Sequence, residues 1–234
     1  MKSDPKILVS NGYDRMAETY LARFGRSIVR DRWLAALAAL LPPAGGARVL
    51  DLGCGAGLPV AKELTALGHR ILGIDGSKRQ VALARHNVPA GDFLHGDMTT
   101  TELPETSFDA VSAFYSITHV PRSEHGDLLK RIAGWLKPGG VFVGSLGATA
   151  SSDWQGEWMG TEMYFSHYGS DRNISLVQEA GLTIEHAEEQ LQDDEDHRFL
   201  WIIARKPISV EPGCSLDGHG ALERRSGNPG GRHR

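Results

Sequence analysis

The sequence predicts an α/β fold, a doubly wound and mostly parallel sheet wrapped by helices. Between residues 47 and 147, short apolar runs alternate with stretches of helical periodicity. Such alternation builds parallel strands joined by helical crossovers, and right-handed crossovers leave a doubly wound topology as the main option. The first apolar run passes straight into glycines at 53, 55 and 57. Asp51, Asp75 and Asp97 fall at strand ends or just beyond them, so they share the carboxyl edge where such sheets bind ligands.

The elements follow in order. "NGYDRMAETYLARFGRSIVRDRWLAALAALLP" reads as helix, with Ile28, Leu34, Leu37, Leu40 and Leu41 recurring and Pro42–Pro43 ending it. "ARVLDLG" is a buried strand. Pro59 suits the first turn of the next helix, and Gly68 its end. "RILGID" is the second strand. Ser77 with Gln80 forms an S-x-x-Q capping box that opens a helix to about Asn87. "DFLHGD" and "FDAVSAFYS" are the third and fourth strands. Ser123 to Leu136 is helical, "KPGG" at 137–140 turns the chain, and "VFVGSLG" is the fifth strand.

Residues 150–170 hold Trp154, Trp158, Met159, Met163, Tyr164, Phe165 and Tyr168 with no clear periodicity. Asp171 to Ala180 reads as a helix ended by Gly181. "LTIEHAEEQ" and "HRFLWIIARK" read as an antiparallel pair at the sheet edge, joined by the acidic turn "DDED". The domain plan is a helical segment at 1–46, a sheet domain at 47–206 and a disordered Gly/Pro/Arg-rich tail at 207–234.

Composition narrows the function. The net charge is −4 and 23% of residues are charged, a poor balance for a general nucleic-acid binder. The two cysteines, Cys54 and Cys214, belong to no CxxC pair or Cys/His cluster. That argues against a disulfide framework or zinc site and for a reducing, cytoplasmic compartment. No leader peptide or membrane span is evident, and no metal-ligand spacing is seen.

The glycine loop bounds the ligand. A dinucleotide site needs G-x-G-x-x-G/A, but counting from Gly53 ends on Leu58 and counting from Gly55 ends on Val60. Asp51 at the loop mouth would repel a pyrophosphate. It would attract an ammonium or sulfonium, or orient the loop from behind. A phosphate-free adenosine with a cationic amino-acid end suits these residues.

"VLDLGCGAG" resembles motif I of the class I S-adenosylmethionine-dependent methyltransferases, and further blocks follow in order. The resemblance covers about residues 12–206 and implies a Rossmann-like, seven-stranded sheet with an antiparallel edge strand and an N-terminal helical lid. It implies S-adenosyl-L-methionine as cofactor, with S-adenosyl-L-homocysteine as product, held by Asp51, Gly53, Cys54, Gly55 and Gly57. In "GIDGS", Asp75 would meet the ribose hydroxyls, beside Gly76 and Ser77. In "HGDM", Asp97 would meet the adenine amino group and Met98 the ring edge. "FDAVSAFYSITHVP" resembles motif IV, adding Phe114 and Tyr115. "YDRMAETY" resembles the lid helix, in which Tyr13 and Tyr20 either close on the cofactor or simply pack.

For the reaction, His119 after the fourth strand is either a general base or a residue that shapes the loop. His167 is a second candidate, whereas His86, His95 and His125 read as surface residues. The segment at 150–170 corresponds to the family's variable insertion. Its large residues named above, with His119 and His167, are the expected acceptor wall or else a cap on the core or on a second subunit. The place of the (N/D/S)PP(Y/F) block of exocyclic base methylation reads "AFYS". A small-molecule acceptor is therefore expected, methylated on O, N or C, with no nucleic-acid or membrane partner and a monomer or homodimer as the assembly. The alternatives are a nicotinamide oxidoreductase and a non-catalytic adenosylmethionine-binding protein.

Overall fold

A computed structural model of the chain describes residues 4–193 and 196–208. The predicted tail beyond Ile208, Cys214 and part of the acidic turn lie outside the described residues.

Two helices, α1 (Pro5–Phe24) and α2 (Ile28–Ala39), precede the alternating core. Then come β1 (Arg48–Leu52), α3 (Val60–Ala66), β2 (Arg70–Asp75), α4 (Lys78–Asn87), β3 (Asp92–His95) and β4 (Phe108–Ala113). The chain continues through α5 (His125–Trp135), β5 (Leu136–Gly147), β6 (Ser151–Trp158), β7 (Thr161–His167), α6 (Ser170–Glu179), β8 (Thr183–Leu191) and β9 (Arg198–Arg205). Among the described residues the main sheet has seven strands in the order β3-β2-β1-β4-β5-β9-β8. β1 to β5 pair in parallel, and β9 runs antiparallel to both β5 and β8. The antiparallel pair therefore closes one edge, with its reversed strand lying one position in. Strand order reverses between β1 and β4, which opens a crevice at their carboxyl ends.

Alternating strand residues feed two cores. Leu50, Leu52, Phe142 and Leu146 face α5 and α6, where Leu128, Leu129, Ile132 and Val177 pack. Val49, Val141, Val143 and Trp201 face α2, α3 and α4, where Trp33, Leu37, Leu64 and Val81 pack. Trp33 stacks on Trp201 with ring centroids 5.2 Å apart. Each fully buried side chain of this size contributes about 1.5–3 kcal/mol from burial.

Several elements differ from the sequence reading. The N-terminal run is two helices, because Ser27 accepts from Arg30 N and caps a new helix. α1 also starts earlier, at Pro5, with the Asp4 carboxylate accepting from Lys6 N. α2 belongs to the core layer, so α1 alone covers the sheet edge. "KPGG" forms an irregularity inside β5, where Phe108 pairs with Leu136 but Ala110 with Val141. The aperiodic segment is a hairpin, β6–β7. Its turn residues Met159 and Gly160 both have positive φ, 54° and 77°, as a two-residue hairpin turn requires.

Candidate active site

The loop after β1 is shaped by its glycines. Gly53 has φ +71°, and a Cβ there would collide with the Ser116 side chain. Ser116 is itself pinned, its Oγ donating to Leu52 O at 2.7 Å. Gly53→Ala is therefore expected to displace the loop and abolish cofactor binding, which calorimetry with S-adenosylhomocysteine reads. Gly55, at φ +52°, faces open space, with Gln80 Oε1 the nearest atom, so the backbone forms an open cradle.

Asp75 ends β2 beside this cradle. Its two oxygens accept from Gly55 N and Ser77 N, each at 2.8 Å. Burial raises its carboxyl pKa, and the two N–H donors partly offset that. Ser77 caps α4 by accepting from Gln80 N at 3.1 Å. The capping box is only half made, because the buried Gln80 Oε1 has no partner and borders the cavity.

A cavity of about 320 Å³ opens over these residues, bordered by Gly53, Gly55, Asp75, Gly76, Ser77, Asp97, Met98, Phe114, Tyr115 and His119. Its other wall is α1, through Lys6, Ser10, Tyr13 and Tyr20. Polar contacts hold that helix down. Lys6 Nζ lies 2.9 Å from Asp97 Oδ2 and 2.8 Å from Glu124 Oε2. Asp14 Oδ1 accepts from Ser77 Oγ at 2.6 Å and from Arg79 N at 2.9 Å. Burial works to raise the Asp97 pKa, but Lys6 and Thr99 outweigh it and hold it below the usual range.

Asp51, Cys54 and Gly57 are not among the lining residues. Gly57 is where α4 approaches, since a Cβ would sit 3.1 Å from Val88. Cys54 packs in the core beneath the loop. Asp51 is buried behind the loop and accepts from Ser112 Oγ at 2.8 Å. Burial pushes its pKa to about 7, against the pull of Ser112. The folded carboxyl thus keeps its proton to about pH 7, whereas the unfolded one releases it near 4. Its favourable contribution is complete below pH 4, declines as pH rises, and is gone above 7. Asp51→Asn is expected to stabilise the unliganded protein, with a gain that grows by about 2–3 kcal/mol between pH 5 and pH 8. Chemical denaturation at the two pH values measures it.

A second cavity, about 430 Å³, adjoins the first. Tyr13, Tyr20, Tyr115 and His119 border both. The hairpin contributes Trp154, Trp158, Phe165 and His167, while Phe24, Arg30, Gln192, Arg198 and Phe199 complete much of the wall. The expected wall residues Met159, Met163, Tyr164 and Tyr168 are not part of it. Met163 is fully buried against Gly12 of α1. Met159 packs in the same cluster. Tyr164 hydrogen-bonds Asp153, and Tyr168 lies under Arg122. Met163 and Phe165, two apart on β7, share one hairpin face, which both clamps α1 and lines the cavity.

His119 is held from both sides. Its Nδ1 lies 3.0 Å from Tyr164 O and its Nε2 lies 2.8 Å from Tyr13 Oη. A carbonyl only accepts, so Nδ1 carries the hydrogen. Burial lowers the ring's pKa to about 4, partly offset by the Tyr164 carbonyl, so the ring is neutral at pH 7. Nε2 is then a lone pair accepting from Tyr13 O–H, whose phenol burial keeps protonated.

His167 Nδ1 donates to Thr149 O at 2.6 Å. His95 is exposed at the first cavity's rim, and His86 is exposed. His125 corrects the sequence reading. It is 1% exposed, because it shares the buried face of α5 with Leu128, Leu129 and Ile132. No group of three or more His, Cys, Asp or Glu among the described residues is placed to hold a metal ion. No helix among them is long and apolar enough to cross a membrane.

Residues 49–140 match the family model described as "Methyltransferase domain". The demethylmenaquinone methyltransferase of Clavibacter sepedonicus is 30% identical over 232 residues, covering 96% of this chain and 89% of that protein. The chain belongs to the S-adenosylmethionine-dependent methyltransferases. The ubiquinone biosynthesis O-methyltransferase of Bradyrhizobium diazoefficiens is 38% identical over 114 residues, 47% of this chain and 43% of that one. With another relative covered over 55% of its length, the chain spans about half the length of several curated relatives it matches. The Burkholderia thailandensis 1,6-didemethyltoxoflavin-N1-methyltransferase shares the fold, with a TM-score of 0.70, 19% identity and coverage of 88% of this chain and 92% of that one. The family's donor fits the first cavity: the Gly55 cradle is open, and Gln80 Oε1 is buried without a partner.

Sequence reasoning missed Lys6, Ser10, Phe24, Arg30, Gln80, Gln192 and Phe199. Gln80 carried a signal, but capping alone accounted for it. The Asp-Pro start of α1 was also legible as a cap followed by a first-turn proline. The others meet only through long-range packing.

Proposed function

We propose that this chain transfers a methyl group from S-adenosylmethionine to a small-molecule acceptor with a flat, apolar body. One observation carries the reading: two cavities share a border of three tyrosines and a histidine. In this reading Asp75 receives the ribose hydroxyls, Asp97 and Met98 receive the base, and the glycine loop receives the amino-acid end. Asp51 acts through the loop from behind. When bound, S-adenosylmethionine supplies an electrophilic methyl on a sulfonium.

The chain's own residues do the rest. Tyr13, Tyr20 and Phe24 close the site with α1 and exclude water. Trp158 and Phe165, whose rings meet edge to face with centroids 5.6 Å apart, form an apolar wall against which a flat acceptor would lie beside His119. Positioning of this kind supplies roughly 7–11 kcal/mol in favourable cases. A proton leaving an acceptor hydroxyl or amine passes to Tyr13 Oη as Tyr13 gives its own to His119 Nε2. The Clavibacter relative is named a demethylmenaquinone methyltransferase and the Bradyrhizobium one a ubiquinone biosynthesis O-methyltransferase, which supports a ring-shaped acceptor here. The free, buried thiol of Cys54 is consistent with a reducing cytoplasm.

The test is transfer of a labelled methyl to a panel of phenols, quinols and aromatic amines, followed by chromatography. Label in one ring class supports the reading. Tight S-adenosylhomocysteine binding with no transfer to any acceptor favours a binding protein instead.

A further inference from the structure

A closed circuit of aromatic rings stands where the two cavities meet. The Tyr13 and Tyr20 ring centroids are 5.2 Å apart, those of Tyr20 and Trp158 6.1 Å, and those of Trp158 and Phe165 5.6 Å. Phe165 and His119 follow at 4.6 Å, and His119 returns to Tyr13 at 5.3 Å. All of these rings border the second cavity, and Tyr13, Tyr20 and His119 border the first as well. Tyr13 meets both Tyr20 and His119 at 87°, and Trp158 meets Phe165 at 84°, as adjoining walls of a box do. Tyr13, Tyr20, Trp158 and Phe165 are each only partly buried, so they keep surface to offer a ligand.

The charge such a box selects follows from its walls. Aromatic faces attract a cation within about 6 Å of their centroids, and quaternary ammonium groups above all. No Asp or Glu is among the described residues that border the second cavity. A primary ammonium, with three hydrogens to place, therefore finds no carboxylate there. An alkylated ammonium has few or no N–H groups and turns its methyl groups to the faces. The arginines of this cavity are occupied or screened. Arg30 donates to Phe24 O at 2.8 Å and Gly25 O at 2.9 Å and lies 3.5 Å from Asp31 Oδ1. Arg198 is exposed to solvent, where salt screens it.

We propose that this aromatic box receives a secondary or tertiary amine carried on the acceptor's apolar body, and then holds its methylated ammonium product. This rests on the reading of the second cavity as the acceptor site. The amine lone pair forms the N–C bond as the C–S bond breaks and the bonding pair stays on sulfur. Positive charge thus moves from sulfur onto a nitrogen set among the ring faces. A secondary amine then gives its proton to Tyr13 Oη as Tyr13 gives its own to His119 Nε2. A tertiary amine has no proton to give, and its product is quaternary.

The test is calorimetry on the full chain saturated with S-adenosylhomocysteine, which fills the first cavity without a sulfonium charge. The probes are p-hydroxybenzyl-trimethylammonium, its carbon isostere p-neopentylphenol, and p-hydroxybenzylammonium, at neutral pH. Burial of apolar surface alone favours the isostere. The expected result is instead the trimethylammonium probe about fivefold or more tighter than either of the others. Trp158→Leu and Phe165→Leu keep apolar bulk but remove a ring face. Each should erase most of that preference while p-neopentylphenol binding stays within about threefold, and thermal melting shows that each variant is folded. Equal or tighter binding of p-neopentylphenol overturns the inference, as does p-hydroxybenzylammonium binding tightest or a preference that survives both variants. If S-adenosylhomocysteine itself fails to bind, the methyltransferase reading falls and takes this inference with it. If it binds but the trimethylammonium probe gains nothing, only the amine site is lost.

Discussion

Asp75→Ala is expected to weaken S-adenosylhomocysteine binding by about 100-fold or more, the value of two charge-assisted hydrogen bonds at about 1.5–3 kcal/mol each. Each oxygen of Asp75 already accepts one backbone N–H, from Gly55 or Ser77, and a second lone pair on each remains. A neighbouring pair of ribose hydroxyls matches those two positions. The backbone donors also fix the carboxylate's orientation before the ligand arrives, so little ordering is needed on binding. Asp75→Asn keeps one oxygen acceptor and should fall between. Calorimetry gives the affinities, and thermal melting shows whether the variant is folded. Unchanged affinity in a folded Asp75→Ala protein would rule out the ribose assignment.

His119→Ala is expected to lower kcat by about 100-fold or more, the usual range for a lost general base, with S-adenosylhomocysteine affinity changed only a few-fold. The wild-type profile separates this role from a structural one. An ordinary histidine would give an acid limb near pH 6.5. Burial moves His119 to about 4, so Nε2 stays unprotonated and the His119 limb should lie near pH 4. Tyr13→Phe removes the hydroxyl that donates to Nε2 at 2.8 Å and should slow transfer while leaving the limb in place. A kcat insensitive to His119→Ala would reduce the ring to a strut between α1 and β7.

The fold was legible where local signals agree with tertiary ones. β1, β2 and β4 read as apolar runs because helices bury both of their faces. Ser77 announced α4 and glycines announced the loop. The hairpin was not legible. Along β7 both Met163 and Tyr164 are buried, and Asp153 in β6 takes φ +53° at a bulge, so period-two alternation is lost. The break between α1 and α2 was hidden by continuous helical propensity, although Ser27 marked it. The cofactor cradle was visible because one loop and three strand ends build it. The polar side of the second cavity joins Arg30, Tyr115 and Gln192 from distant segments, and no spacing encodes that meeting.

The central claim is that the first crossover holds a phosphate-free, cationic nucleoside. Parallel calorimetric titrations of the full chain with S-adenosylhomocysteine and with NADH test it most directly. One-to-one binding of S-adenosylhomocysteine with a Kd of about 1–100 μM, and no heat from NADH, is the predicted result. Binding of NADH with no detectable affinity for S-adenosylhomocysteine would contradict it.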